Sequence, residues 1–371
     1  MKKNKVGIIG QRGMVGSVLM ERMKQEGDFK LFEAYFFSTS QIGQDAPEES
    51  YTAKLLSAMC TDDLNKMDII ITCQGSDYTK EVYPKLRQSG WRGYWIDAAS
   101  HLRMEGDSQL LLDPLNSQEI SSYIKRGGRC LVGANCTVSL LLMAMGEWIK
   151  RDLVEWVSSM TYQAASGAGA KAMAELISQM KYITQQLGDA SAAQSGVELD
   201  RLVTSTLSSG QLPVKQFGAP LALSVLPWID SALDSGQTRE EWKAEVEANK
   251  ILGLAGESRV AIDGCCVRIG AMRSHSQGIT VKLKRELPID ELQDVLVESH
   301  PWLKLISNSK ERTLQNLTPA KVSGSLDIAV GRVRTMTLGP EYITLFTVGD
   351  QLLWGAAEPL RRGLRIILEE I

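Results

Sequence analysis

Apolar residues fall in short blocks separated by glycine turns and charged segments. Residues 5–10, Lys5-Val6-Gly7-Ile8-Ile9-Gly10, predict a short buried strand. Residues 11–16 form a glycine-rich turn, and residues 17–23 have the apolar spacing of a helix. Residues 31–37, 68–73 and 94–97 predict further buried strands, with helical stretches between them, notably 79–89. Such alternation predicts a parallel α/β sheet. The pattern changes after Asn135. A long helix is expected over 138–151, then a strand over 154–163. Residues 265–272 and 278–284 read as strands joined by a short polar segment. Residues 238–249 predict a charged, exposed helix, and the second half of the chain reads as an α+β domain. Residues 349–371 predict an amphipathic helix, with Leu352, Leu353, Ala356, Leu360, Leu364 and Ile367 on its apolar side, that docks back on the first domain. No internal repeat or low-complexity stretch interrupts this order.

Composition narrows the class. The 371 residues are 44% hydrophobic and 23% charged, which fits two or three globular domains and excludes disordered and fibrous chains. Lys plus Arg is 41 against 44 Asp plus Glu, a net charge of -3. Without a basic stripe, a nucleic-acid partner is not expected. The longest mostly apolar run, 138–145, is far short of the ~20 residues a membrane helix needs. The basic start is followed by an apolar stretch too short for a signal peptide, so a soluble, cytoplasmic protein is expected. Six cysteines without C-x-x-C spacing and three histidines predict neither a disulfide framework nor a metal site.

Three features carry chemistry. The first is Gly7-x-x-Gly10-x-x-Gly13-x-x-Gly16 between the first strand and helix, where glycines let the backbone approach a pyrophosphate. A glycine-rich turn without a nucleotide has the same pattern. The second predicted strand ends in Ser38-Thr39-Ser40 rather than in the acidic residue that binds an NAD ribose. With Arg12 nearby, that favours NADP; the bland reading is a polar turn. The second feature is Cys136, between a strand-like Leu131-Val132 and the long helix. The positive end of a helix favours a thiolate, the form that attacks acyl carbons; the alternative is a small buried hydrophobe. Cys73, Cys130, Cys265 and Cys266 lie in apolar strands and read as packing residues. The third is Arg268 with His275, a histidine flanked by Arg273 and Ser274. It reads as a base for a distant cysteine or as a surface histidine.

The segments Gly10-Gln11-Arg12-Gly13-Met14-Val15-Gly16, Phe37-Ser38-Thr39-Ser40-Gln41, Thr72-Cys73-Gln74-Gly75, Ile96-Asp97-Ala98-Ala99-Ser100 and Asn135-Cys136-Thr137 occur in this order. Residues 162–170 (Tyr-Gln-Ala-Ala-Ser-Gly-Ala-Gly-Ala) and 348–359 follow. Together they closely resemble the aspartate-β-semialdehyde dehydrogenase family, nearest to its Gram-negative bacterial branch, over essentially the whole chain. The resemblance implies a Rossmann-like NADP-binding domain over 1–134, an α+β catalytic and dimerisation domain over 135–354, and a C-terminal helix over 355–371 returning to the first. It implies reversible, NADP-dependent conversion of L-aspartate 4-semialdehyde and phosphate to 4-phospho-L-aspartate by a homodimer. That step feeds lysine, diaminopimelate, methionine and threonine synthesis.

By the same resemblance, Cys136 is the thioester-forming nucleophile, His275 the acid/base, and Gln163 positions the acyl group. Arg268 clamps the substrate carboxylate, Glu240 (or its neighbour Glu241) holds the ammonium, and Arg103 and Lys243 bind phosphate. Gly10, Arg12, Gly13, Met14, Val15, Thr39, Ser40, Gln74, Ser166, Gly167, Ala168, Gly169, Ala170 and Gln351 contact NADP. The chain departs from relatives at Ala168, where another glycine is usual, across 188–198, which lacks a proline, and at Ser274 in Arg273-Ser274-His275. Two other functions stay open. One is an N-acetyl-glutamyl-phosphate reductase-like enzyme, told apart by activity on an acylated substrate. The other is an inactive Rossmann regulatory module, told apart by the absence of an acyl adduct on Cys136.

Overall fold

The computed structural model of the chain describes residues 3–188 and 195–370. Of the atypical stretch 188–198, residues 189–194 lie outside the described residues.

Seven strands form a first, all-parallel sheet: β1 (Lys5–Ile9), β2 (Glu33–Ser38), β3 (Leu56–Ser57), β4 (Ile69–Thr72), β5 (Tyr94–Asp97), β6 (Gln109–Leu111) and β7 (Cys130–Gly133). Their order is β3-β2-β1-β4-β5-β7-β6. Strands β4, β5 and β7 are buried at every residue. Parallel strands are covered on both faces, which is why they read as unbroken apolar runs. The strand order reverses between β1 and β4, so a crevice opens at their carboxyl ends.

The second sheet is mixed: β8 (Val154–Gln163), β9 (Val225–Leu226), β10 (Ala261–Ile269), β11 (His275–Leu283), β12 (Leu303–Leu305), β13 (Ile328–Met336) and β14 (Gly339–Gly349). Its order is β12-β13-β14-β11-β8-β10-β9. Although only a short polar segment joins β10 to β11, they are not a hairpin. Strand β8 lies between them, parallel to β10 and antiparallel to β11.

The helix Cys136–Lys150 joins the two halves. It is apolar around its whole circumference, and nearly every residue from Thr137 to Ile149 is buried. A helix of that kind belongs in a core. Leu140–Met145 pack in one cluster with Trp95 and Val132 of the first sheet and with Val157, Ile279 and Leu345 of the second. No helix among the described residues is long and apolar enough to cross a membrane.

The expected C-terminal helix begins later than its hydrophobic pattern suggested. Strand β14 continues to Gly349, a π-helical turn spans Leu353–Ala357, and the helix proper is Glu358–Glu370. It does dock on the first sheet. Leu360, Leu364 and Ile367 pack with Val6, Ile8, Ile96 and Leu131. A buried ionic network fixes the contact. Arg361 bonds Asp28 (3.0 Å) and Glu358 (2.8 Å), Arg22 bonds Glu358 (2.9 Å), and Arg365 bonds Asp28 (2.7 Å). Asp28 and Arg361 are both fully buried. Removing Asp28 leaves Glu358 as the buried carboxylate shared by Arg361 and Arg22, so buried positive charge is under-compensated. Asp28→Ala should therefore lower the unfolding free energy by roughly 3 kcal/mol, measured by urea denaturation. A loss well below ~1 kcal/mol would show that the apolar face alone holds the helix.

Candidate active site

The crevice at the end of β1 is built for close backbone approach. Gly10 has φ +82, and a Cβ there would lie 2.8 Å from the backbone carbon of Cys73. A Cβ on Gly16 would lie 2.1 Å from the Gly10 carbonyl oxygen. The next helix, Met14–Gln25, has Gly13 as N-cap and no side-chain cap, so its first N–H groups keep their donors free of side-chain acceptors. Gly10–Gly13, Phe37–Ser40, Cys73 and Gln74 line a cleft of about 440 Å³, and among the described residues no acidic side chain lines it. Thr39 and Ser40 are exposed at its rim. Gln74 donates to Thr39 Oγ1 (3.4 Å) and Arg12 to Ser40 Oγ (3.4 Å). Ser38 has a different job: it is buried, and its Oγ accepts the N–H groups of Ser40 and Gln41. These residues fit a dinucleotide with a phosphate on its ribose.

A second uncapped helix N-terminus, Ala170–Leu187, starts after Gly169 (φ +94). Gly167, before it, passes close to the site: a Cβ would lie 2.7 Å from Arg268 Nη1 and 3.0 Å from His275 Nε2. Ala168 is exposed and is not among the residues with positive φ, so its methyl group is accommodated. Ser166 accepts from the Gln351 side chain, whose oxygen accepts from Ser274 N.

Cys136 begins the central helix. Asn135 caps it: its Oδ1 accepts from Thr137 N (2.9 Å) and Val138 N (3.2 Å). The Asn135 amide nitrogen donates to Glu240 (3.0 Å) and its backbone N–H to Glu247 (2.6 Å). Behind the cysteine, a Cβ on Gly355 would lie 2.7 Å from Cys136 Cβ. Cys136 is half-buried in a pocket of about 450 Å³. The helix end does not leave it as a thiolate. Burial, followed by the Glu240 carboxylate, pushes the thiol up to about 12, outweighing Arg268, Arg103 and Lys243. The resting form is the thiol.

Three strand ends supply the rest. Arg268 of β10 pairs in register with Gln163 of β8, and Ser276 of β11 pairs with Tyr162, which sets His275 beside Gln163. Partners in register share a face of the sheet, so Gln163, Arg268 and His275 stand side by side. Arg268 is 6% exposed and donates from Nη1 to Ala164 O (2.8 Å). No carboxylate pairs with it among the described residues. His275 is fully buried. Its Nδ1 accepts the Ala164 N–H (3.0 Å), and its Nε2 has no partner among the described residues. A neutral imidazole whose Nδ1 accepts must carry its proton on Nε2. Burial and then the Arg268 charge push its pKa down to about 3. In this structure His275 thus presents a neutral Nε2–H to the pocket. The strain of Ser274 (φ 71) next to it is held by Gln351 and by the Arg273–Asp350 ion pair (2.7 Å).

The helix Arg239–Ile251 is charged but not exposed. Glu240, Lys243 and Glu247, spaced along one face, are all buried against the site. Glu240 donates nothing and accepts from Asn135, Gln163 (3.3 Å) and Lys243 (3.0 Å). Glu241 is instead the capping-box partner of Thr238 and does not line the pocket. Arg103 donates to Gly133 O (2.8 Å) and Glu247 (3.2 Å). Lys243 also meets Asp230 (2.7 Å).

Of the expected residues, Val15, Arg103, Cys136, Gln163, Ser166, Gly167, Glu240, Lys243, Arg268 and Gln351 line the Cys136 pocket. Gly10, Arg12, Gly13, Thr39, Ser40 and Gln74 line the dinucleotide cleft. His275 sits against Gly167 at the pocket wall, while Met14, Ala168, Gly169 and Ala170 line neither space. Sequence reasoning missed Asn135, Asp230, Glu247 and Gly355 as site residues. Asn directly before Cys136 is a capping signal, and Glu247 falls seven residues after Glu240 on one helical face; Asp230 and Gly355 carry no such signal. Among the described residues no group of His, Cys, Asp and Glu could hold a metal ion.

Comparison with known proteins gives the same two halves. A model described as "Semialdehyde dehydrogenase, NAD binding domain" matches residues 5–123, and "Semialdehyde dehydrogenase, dimerisation domain" matches 149–354. An aspartate semialdehyde dehydrogenase structure from Francisella tularensis is 48% identical, with TM-score 0.94, covering 98% of this chain and 99% of that one. Aspartate semialdehyde dehydrogenase II from Vibrio cholerae, complexed with ASA, shares the fold at 22% identity and TM-score 0.80, covering 100% and 99%.

The buried imidazole makes a pH prediction. The unfolded chain takes up a proton at this group near its ordinary 6.5, but the folded chain does so only near 3. Stability from His275 is therefore complete above 6.5 and is lost as pH falls from 6.5 towards 3. ¹⁵N NMR of the three histidines, with His275 assigned by His275→Asn, should show a neutral Nε2–H ring from pH 8 to 5. A titration midpoint near 6.5, or an Nδ1–H signal, would contradict the assignment.

Proposed function

The chain belongs to the semialdehyde dehydrogenase family, within it to the aspartate-semialdehyde dehydrogenases, and from that premise we propose how its residues divide the work. The enzyme interconverts L-aspartate 4-semialdehyde plus phosphate with 4-phospho-L-aspartate, using a nicotinamide dinucleotide, in amino-acid biosynthesis. The observation that carries the assignment of roles is Arg268: a buried guanidinium without a carboxylate, in one pocket with Cys136 and beside the unpartnered His275 Nε2. A buried cation of this kind calls for an anion.

In this reading Arg268 takes the substrate α-carboxylate as a planar fork, Glu240 takes the ammonium, and Arg103 and Lys243 take the phosphate. The Cys136 sulfur bonds to the acyl carbon as the bond to the phosphate oxygen breaks. The thiol proton leaves on that phosphate, so no histidine base is required. Gln163, which donates to Glu240, lies beside the acyl group. The nicotinamide, when bound in the cleft, supplies the hydride. His275 Nε2–H donates to the acyl oxygen as negative charge develops there, and the Cys136 backbone N–H is a second donor. Collapse breaks the carbon–sulfur bond and releases the aldehyde, and the thiolate left on Cys136 takes a proton from solvent to restore the thiol. Thr39, Ser40 and Arg12, with no carboxylate in the cleft, favour NADP over NAD.

The reading extends to a cytoplasmic homodimer. The second sheet exposes Met160 and Tyr162 on one face, with Phe346 stacked beside Tyr162. Exposed large apolar side chains on a sheet face support an interface there. The domain limits 1–134, 135–354 and 355–371 belong to the same reading.

Intact mass spectrometry after incubation with 4-phospho-aspartate, without dinucleotide, should show an acyl adduct on the wild type. Cys136→Ser should show none, because a hydroxyl oxygen is a far poorer nucleophile toward an acyl carbon than the more polarizable sulfur. An adduct on the serine variant would reassign the nucleophile. Arg268→Lys should lower kcat/KM for the semialdehyde by ~2 kcal/mol of transition-state binding, with dinucleotide affinity unchanged. Near-normal kcat/KM would remove Arg268 from the substrate.

A further inference from the structure

We propose that Asp230 sets the enzyme's affinity for phosphate: its carboxylate occupies the Lys243 ammonium until phosphate displaces it. This rests on the reading of Lys243 as a phosphate ligand.

Both cations assigned to phosphate are already engaged. Arg103 bonds Glu247, and Lys243 bonds Glu240 and Asp230. The three carboxylates differ in how they are held. Glu240 and Glu247 are on the Arg239–Ile251 helix, buried, and bonded to Asn135, the cap of the Cys136 helix. Moving either would disturb the nucleophile's support. Asp230 lies outside any helix or strand, in the segment between β9 and that helix, with its side chain 34% exposed. Apart from Lys243, its carboxylate accepts, among the described residues, the adjacent Ser231 N–H (2.8 Å). Its backbone is left-handed, φ 73, a conformation aspartate tolerates at some cost. Asp230 is thus the pocket carboxylate that is free to withdraw.

The charges give the exchange a direction. With Asp230 in place, Arg103, Lys243 and Arg268 are balanced by Glu240, Glu247 and Asp230. A phosphoryl group brings close to two negative charges and several strong acceptor oxygens. It meets a neutral pocket while Asp230 stays and a positive one once Asp230 swings into water. The Asp230 oxygen, 2.7 Å from Nζ, stands at the distance a phosphate oxygen would take. Singly charged anions displace it less well than a phosphate dianion does. When phosphate is the product, the returning carboxylate helps release it.

The test uses the full-length enzyme in the phosphate-consuming direction. Phosphate is varied at saturating semialdehyde and NADP. Asp230→Asn keeps the shape and removes the charge, and Asp230→Gly removes the side chain while suiting the backbone. Each should lower the KM for phosphate about fivefold and leave the KM for semialdehyde within about twofold. Inhibition by sulfate should tighten in parallel. Lys243→Met is measured beside them and should raise the phosphate KM. If it does, while both Asp230 variants leave the phosphate KM unchanged or raise it, Asp230 is only a structural partner of Lys243 and the proposal fails. If Lys243→Met leaves the phosphate KM unchanged, the assignment of Lys243 fails instead, and the proposal with it.

Discussion

The site depends on the register of β8 with its two neighbours. Strand β8 runs parallel to β10 and antiparallel to β11, so the end of one neighbour and the start of the other meet at the end of β8. Gln163, Arg268 and His275 then occupy adjacent positions on one face. A slip of one residue would turn any of them to the opposite face. The backbone adds a second lock at the same point. Ala164, just past β8, gives its carbonyl to Arg268 and its N–H to His275. The backbone of one residue thus aims the guanidinium and fixes the tautomer of the imidazole.

Burial sets the electrical state of what the register assembles. The pocket holds a thiol that resists ionisation, an imidazole that resists protonation, and a guanidinium with no carboxylate partner among the described residues. Desolvation disfavours the charged form of each titratable group. Arg268 remains charged because guanidinium does not lose its proton in proteins. The imbalance of charge therefore sits on the residue that faces substrate. Asn135 and the Arg239–Ile251 helix hold the opposite wall, linking the nucleophile's cap to the carboxylates and cations around the phosphate position. Nucleophile, ammonium site and phosphate site form one hydrogen-bonded frame, whose members are not energetically independent.

The two halves meet through the same logic of burial. The all-apolar helix that begins at Cys136 packs between the sheets. The C-terminal helix crosses back to the first sheet and is fixed by Arg361, Asp28 and Glu358. The chain just before it brings Gly355 against Cys136 and Gln351 against Ser166 and Ser274. Docking the terminus thus closes the site from behind.

Periodicity and local chemistry were enough to mark the parallel first sheet, the glycine turn at Gly10–Gly16, the absence of an acidic residue after β2, and Cys136 at the head of a helix. These are written in neighbouring residues, because strand alternation, turn geometry and helix ends are local properties. Motif order likewise carried the resemblance and the positions of Arg103, Gln163, Glu240, Lys243, Arg268 and His275. Their states were not legible. The Arg239–Ile251 helix looked like a solvated charged surface, since its pattern cannot reveal that Asn135, Arg103 and Asp230 await its charges. Cys136 looked like a thiolate from its helix end, and His275 like a base from its polar neighbours. Desolvation in the pocket, with the Glu240 carboxylate, reverses the first. The Ala164 N–H, 111 residues away in sequence, sets the resting tautomer of the second. Strand β8 between β10 and β11, the late start of the C-terminal helix and the meeting of Asp230 with Lys243 are also tertiary facts. Desolvation and hydrogen bonding are set by whatever atoms fill the space around a group, and in a folded chain those atoms come from distant sequence.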